Sequence, residues 1–257
     1  MIGNVEIDEH ITALDRDGRL LSDAAERAGL DAAVPSCPSW RVADLLRHIR
    51  YIHGWAAAHV REARSQVMPG PPEGELLNGG PPDAGLLDAY RAGQRALVET
   101  LRSADPAISC ATFLPGPSPL AFWARRQAHE TAIHRADAEL AATGSVAPFS
   151  PEFAADGIDE LVTGFAPREP LAARLDAART LQLHATDTGD HWHLVIGPDR
   201  VRARPGQNQA STVASGPASA LYLLLWNRQD APTAGVTVTG DAGGLRLWRD
   251  AVHVRWG

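Results

Sequence analysis

Glu130 and His134 lie four residues apart within 123–143, WARRQAHETAIHRADAELAAT, a stretch with no Gly or Pro before Gly144. Its wealth of Ala, Arg, Gln, Glu and Leu predicts a helix, so the two side chains share one face about one turn apart. A carboxylate and an imidazole at that spacing can hold one metal ion if a third ligand arrives from another element. The plainer alternative is a solvated carboxylate–histidine pair on an exposed face. His129-Glu130 looks like the start of an HExxH zinc-protease signature, but position 133 is Ile133 and the pattern is HExxxH. His129 and His134 therefore point to different faces, which leaves Glu130 as a ligand and disfavours a metalloprotease.

The third donor on offer is His48, between the apolar Leu45 and Ile52 of another helical stretch. A lone histidine there is more often a hydrogen-bonded core residue than a ligand, and a partner pair on another helix changes that balance. His48, Glu130 and His134 together make a three-ligand set from two helices, and zinc sites with three protein ligands and a vacant fourth position are catalytic ones. Such an ion lowers the pKa of a bound water or thiol and yields a nucleophile at neutral pH. Asp44, one turn before His48, and Asp137, three residues after His134, are candidates to orient the imidazoles, or are ordinary surface carboxylates. Trp40, Trp55 and Trp123 lie on or beside the same helices, where they wall a pocket or simply pack a core. Cys37 and Cys110 are too few for a disulfide framework and lack metal-ligand spacing. His184, His191 and His193 fall in strands, the latter two on one face. No G-x-S-x-G elbow, P-loop or dinucleotide fingerprint is present.

The elements that must position these residues follow from periodicity. Residues 7–28 carry Ile7, Ile11, Leu14, Leu21, Ala24, Ala25 and Ala28 near helical spacing, with Gly29 as a stop. The prolines of 34–39 enforce a turn, Ser39 is the expected N-cap of a helix over 40–64, and the Pro/Gly-rich 65–82 reads as a loop. A helix over 83–102, a second Pro-rich loop, the ligand-bearing helix and a helix from Ser150-Pro151 to about 165 follow. Four long helices suit an antiparallel bundle, whose interior is a natural metal site. After about 178 the texture changes to strands at 181–186, 191–196, 201–203, 236–238 and 252–254, with helices over 218–227 and 241–249. The expectation is α+β: a helical bundle over 1–170, then a small α+β domain over 171–257.

The 257 residues are 44% hydrophobic and 21% charged, with a net charge of −7, which disfavours nucleic acid as the main partner. With no apolar run long enough for a membrane span and no signal peptide, the expectation is a cytoplasmic protein.

Two segments together resemble a known family. VPSCPSW at 34–40 followed by VADLLRH at 42–48 is similar to the opening of the actinobacterial mycothiol-dependent maleylpyruvate isomerase family, and RQAHETAIHRAD at 126–137 resembles its second metal motif. ATDTGD at 185–190, GPASAL at 216–221, LWNR at 225–228 and VTGD at 238–241 resemble its C-terminal domain. The resemblance implies a DinB-like four-helix bundle whose zinc ligands fall on His48, Glu130 and His134. It further implies that zinc stabilises the thiolate of mycothiol, which adds to a cis-alkene conjugated with a carbonyl; rotation and expulsion of the thiol give the trans product. An arginine of the C-terminal domain that meets substrate carboxylates would fall on Arg228.

The expected function is thus a zinc-dependent isomerase or S-transferase acting with mycothiol on a small electrophile, as a monomer or small homo-oligomer. The alternatives are a thiol-independent metal hydrolase or lyase, and a non-catalytic, metal-stabilised ligand-binding protein. His/Glu ligands also suit other divalent metals, but three ligands leave an ion open, which speaks against a purely structural site.

Overall fold

A computed structural model describes residues 6–168, 177–241 and 243–251. By internal contacts the chain divides into two units, Glu6–Ala147 and a second running from Pro148 onward. The first unit has four long helices: α1 (Ile7–Ala28), α2 (Val42–Arg61), then, after a short α3 (Glu73–Asn78), α4 (Asp83–Ser103) and α5 (Pro119–Thr143). Helix α1 packs against α4 and α5, and α2 packs against the same two, which closes a four-helix bundle. The apolar stripes dictate this: α1 buries Ile11, Leu14, Leu21, Ala24 and Ala25, and α2 buries Leu45, Leu46, Ile49, Ile52 and Val60.

Helix α5 is different. It is buried from Leu120 to Glu139 on almost every face, with Arg126, Glu130, Arg135 and Asp137 enclosed along with the apolar residues. Buried charges persist only when paired. Arg135 accordingly donates through Nη1 to Asp17 Oδ1 of α1 at 3.0 Å and through Nη2 to the Ala147 carbonyl. Where α1 meets α4, Tyr90 donates to the Gly18 carbonyl at 3.0 Å. A Cβ on Gly18 would lie 2.6 Å from Gln94 Cγ, so only glycine permits this approach.

The second unit opens with α6 (Pro151–Asp159), which continues as a π-helical turn, Glu160–Phe165. Strands β1 (Arg179–Ala185), β2 (His191–Ile196), β3 (Val201–Pro205), β4 (Thr212–Gly216) and β5 (Thr237–Gly240) form one sheet in the order β3-β2-β1-β4-β5. Strand β1 runs parallel to β4, and the other neighbours are antiparallel. Leu181, Leu183, Trp192, Leu194 and Ala214 share one buried face. Helices α7 (Ala218–Leu225) and α9 (Gly243–Ala251) pack on β1 and β4, while α8 (Ala231–Ala234) is a single turn. Helix α6 packs on α7 within this unit.

Several local expectations are corrected. The loop over 65–82 contains α3, and the turn before α2 extends further than the prolines alone require. Trp40 N–H bonds the Cys37 carbonyl at 2.8 Å, so Arg41 rather than Ser39 is the N-cap and the helix begins at Val42. Helix α5 begins four residues early because Ser118 Oγ accepts the Ala121 N–H at 3.2 Å and Pro119 occupies the first turn. Strand β4 and the turn α8 are additions; TVASG alternates small residues and gives no period-2 signal. The strand expected over 252–254 lies outside the described residues. Among those residues no helix is long and apolar enough to cross a membrane.

The Arg135–Asp17 pair yields a contrast measurable in urea. Asp17→Ala removes the buried carboxylate that meets Arg135 Nη1 and leaves the guanidinium with Glu139 and the Ala147 carbonyl, so it is expected to cost about 2–3 kcal/mol. Arg19→Ala, which removes a largely exposed pair with Asp15, is expected to cost less than about 1 kcal/mol. Equal midpoints for the two variants would contradict this reading of the α1–α5 contact.

Candidate metal centre

The antiparallel run of α2 past α5 brings His48 onto Glu130. His48 Nε2 lies 3.3 Å from Glu130 Oε1, and His134 Nε2 lies 3.2 Å from the same oxygen. All three side chains are buried, and their donor atoms lie within 4.8 Å of one another. Zinc–nitrogen and zinc–oxygen bonds are about 2.0–2.1 Å, so two corners of a tetrahedral zinc sphere stand roughly 3.3 Å apart. The two histidine–glutamate separations match that edge. Two neutral nitrogens and one carboxylate oxygen are also a chemically suitable donor set for zinc, so the residues present fit the ion.

Two of the three, Glu130 and His134, are held from behind. The other oxygen of the carboxylate, Glu130 Oε2, accepts from Arg126 Nη2 at 2.9 Å, and Arg126 is fully buried. His134 Nδ1 lies 2.8 Å from Asp137 Oδ2, and Asp137 Oδ1 accepts from Ser36 Oγ. Trp40 lies over both imidazoles, its ring centroid 5.0 Å from that of His48 and 6.3 Å from that of His134. Ser36 and Trp40 come from one compact turn, in which Cys37 N–H bonds the Val34 carbonyl and Val34 N–H bonds the Trp40 carbonyl, both at 3.0 Å.

Electrostatics follow from this packing. Burial opposes charge on Glu130, but hydrogen bonds from His134 and His48 and the Arg126 charge hold its carboxyl well below the usual range. Burial also opposes charge on His134, yet Asp137 and Glu130 outweigh it and push its pKa up to about 9. His48 goes the other way: burial lowers it, and the Glu130 hydrogen bond only partly resists. The carboxylates around His134 thus favour its protonated form.

Other candidate residues fall elsewhere. Asp44 Oδ2 accepts the Arg41 backbone N–H at 2.9 Å, so this carboxylate caps the start of α2. Trp55 and Trp123 are in edge contact with each other, centroids 5.2 Å apart, in a cluster with His59, Phe113 and Phe122. Trp55 lies two helical turns from His48 and Trp123 two turns from Glu130, about 10 Å along their helices. His53 bonds Thr131 at 2.8 Å. Cys110 is buried, and burial pushes its thiol up. His184 stacks on His191 across β1 and β2 with centroids 4.3 Å apart, and no metal-ligand trio among the described residues includes them or His193. Arg228, in the sheet unit, donates through Nη1 to the Trp226 carbonyl at 2.8 Å. Sequence reading missed Arg126 and Ser36. Arg126–Glu130 is an i,i+4 pair and so carried a usable signal; Ser36, a hundred residues from Asp137, carried none.

Comparison with known proteins adds the following. Residues 11–139 match the family model of the mycothiol maleylpyruvate isomerase (MDMPI) N-terminal domain, and residues 152–246 match that of the MDMPI C-terminal domain. No curated protein matches the chain. Two solved structures, a mycothiol-dependent maleylpyruvate isomerase and a histidine-to-alanine variant of it, are similar at TM-score 0.66 and 16% identity. Each comparison covers 93% of this chain and 95% of the other. At that identity the likeness speaks to the fold.

Two outcomes follow from the partners behind the ligands. Asp137→Asn and Arg126→Met are each expected to weaken divalent-metal affinity by about 10–100-fold, measured by competition with a chromophoric chelator. Because His134 is protonated below about 9 in the metal-free protein, an entering ion must displace that proton. Apparent affinity should therefore rise with pH, by about tenfold per unit, and level off near that value. A pH-independent affinity between 6.5 and 8.5 would contradict the assignment.

Proposed function

The chain belongs to the mycothiol maleylpyruvate isomerase family, and on that premise we propose that it is an enzyme using a divalent metal ion and mycothiol to act on a small electrophile. The observation that carries this reading is a single oxygen, Glu130 Oε1, approached by His48 Nε2 and His134 Nε2 at 3.3 and 3.2 Å. His48, Glu130 and His134 are assigned as the ligands, with Zn2+ as the ion. An ion held by these residues would supply the Lewis acidity that turns a thiol into a thiolate at neutral pH.

The chain's own side chains do the remaining work. Arg126 keeps Glu130 ionised and fixes its rotation, so Oε1 faces the imidazoles. Asp137 accepts the Nδ1 proton of His134, which selects the tautomer with a lone pair on Nε2. Ser36 holds Asp137 in turn. Trp40 covers the two rings, which limits water at the centre and strengthens electrostatics there. Arg228 is assigned to a substrate carboxylate, for which its planar fork is suited; the Trp226 carbonyl orients it through Nη1.

The reaction we favour is cis–trans isomerisation of an alkene conjugated with a carbonyl. Addition of the thiol sulfur to the alkene carbon makes the central bond single, rotation follows, and expulsion of the sulfur restores the double bond in the trans form. No net oxidation occurs, and the thiol is regenerated.

Purified protein is expected to carry about one zinc per chain and to isomerise maleylpyruvate only with mycothiol present. Chelation should abolish turnover and zinc should restore it, while His48→Ala should be inactive and retain its helical circular dichroism. Arg228→Lys should raise KM for a carboxylate substrate by about tenfold, because an ammonium cannot replace a bidentate fork. Adduct accumulation without isomerisation would move the reaction to S-transfer. Turnover in thiol-free buffer, or turnover indifferent to chelator, would overturn the proposal.

A further inference from the structure

Outside the metal centre, the sheet unit contains a cavity of about 240 Å³ between α7, α8, β5 and α9. Leu224, Val238, Leu245 and Trp248 give it an apolar wall, and Arg246 and Arg249 stand at its edge. The Trp248 Nε1–H is already satisfied by the Leu225 carbonyl at 2.9 Å, so the indole offers the cavity only apolar surface. An apolar cavity of about 150 Å³ is enough to take up benzene. The volume here accommodates an aromatic ring together with a short arm.

The charges at the edge state what that arm should carry. Arg246 and Arg249 lie three residues apart on α9, and so on neighbouring positions of one helix face. The lining acid, Asp230, is committed to capping α8, with Oδ1 accepting the Thr233 N–H at 2.9 Å. Its carboxylate keeps its charge and interacts with Arg249, so two arginines against one aspartate leave the lining with one positive charge in excess. In a chain whose net charge is −7, an anion is drawn here by local contacts and not by the overall field. Asn227, in the left-handed region at φ 60, turns the chain after α7. Asn227 and Gln229 line the cavity while Arg228 between them does not, which separates this cavity from the guanidinium assigned to the substrate.

We propose that this cavity is a second small-molecule site, specific for an aromatic carboxylate, with the ring against Leu224, Val238, Leu245 and Trp248 and the carboxylate against Arg246 and Arg249. It is independent of the reaction proposed above and requires no metal.

The test uses the full chain, metal-loaded and after chelation, with phenylacetate as the anionic probe and 2-phenylethanol as its uncharged counterpart. Calorimetry and saturation-transfer NMR are expected to show saturable binding of phenylacetate that survives chelation. The double variant R246Q/R249Q should weaken phenylacetate by about tenfold, the loss of two partly screened charge pairs, and leave 2-phenylethanol unchanged. Leu245→Trp, which fills the cavity, should remove both ligands. Absence of saturable phenylacetate binding overturns the proposal. So does binding that is lost on chelation or in Arg228→Gln but persists in Leu245→Trp, since the probe would then occupy the reaction site. The arginines are exposed, so the double variant keeps the test decisive if Leu245→Trp unfolds.

Discussion

A carboxylate taken out of water dominates this structure. Glu130 sits near the middle of a helix buried on almost every side, and an isolated charge there would be prohibitively unstable. Its two oxygens are therefore shared out. One is held by a buried arginine a turn earlier on the same helix, and the other by two imidazoles, one local and one from α2. The compensation that makes the charge tolerable also leaves three donor atoms converging on one small volume. The geometry that stabilises the charge is also one that suits a metal ion.

That arrangement propagates outward. His134 needs Asp137 behind it, and Asp137 is met by Ser36 from the turn that also carries Trp40 over the two rings. The proline-bracketed turn between α1 and α2 looks like a mere connector in a helix-by-helix reading. In the fold it supplies both a hydrogen-bond donor and an aromatic cover to the centre. The π-face of Trp40 is apolar and offers the imidazole nitrogens beneath it no competing hydrogen-bond partner.

The sheet unit solves a different problem. Its apolar face is buried beneath α7 and α9 in the usual alternating manner, and its histidines pair across strands on the opposite face. The turn from α7 into α8 is where regularity ends. A left-handed Asn227 reverses the chain there, sending Asn227 and Gln229 toward a cavity and Arg228 away from it.

Periodicity made the long helices legible, because an apolar stripe of period 3.6 is a local property of the chain. It also made Glu130 and His134 legible as neighbours, since i,i+4 spacing fixes a shared face whatever the helix packs against. Errors arose where no hydrophobic period marked the boundary: the start of α2 was set by the Cys37–Trp40 turn just ahead of it, and β4 had too little side chain to announce itself. The sequence by itself determined which elements form and which of their side chains can act together along one helix. Only the tertiary structure decided that His48 meets Glu130, that Asp44 caps a helix while Asp137 meets His134, and that Ser36 and Trp40 join them. Spacing along a helix specifies a direction, whereas the identity of the neighbour found in that direction depends on how separate helices pack.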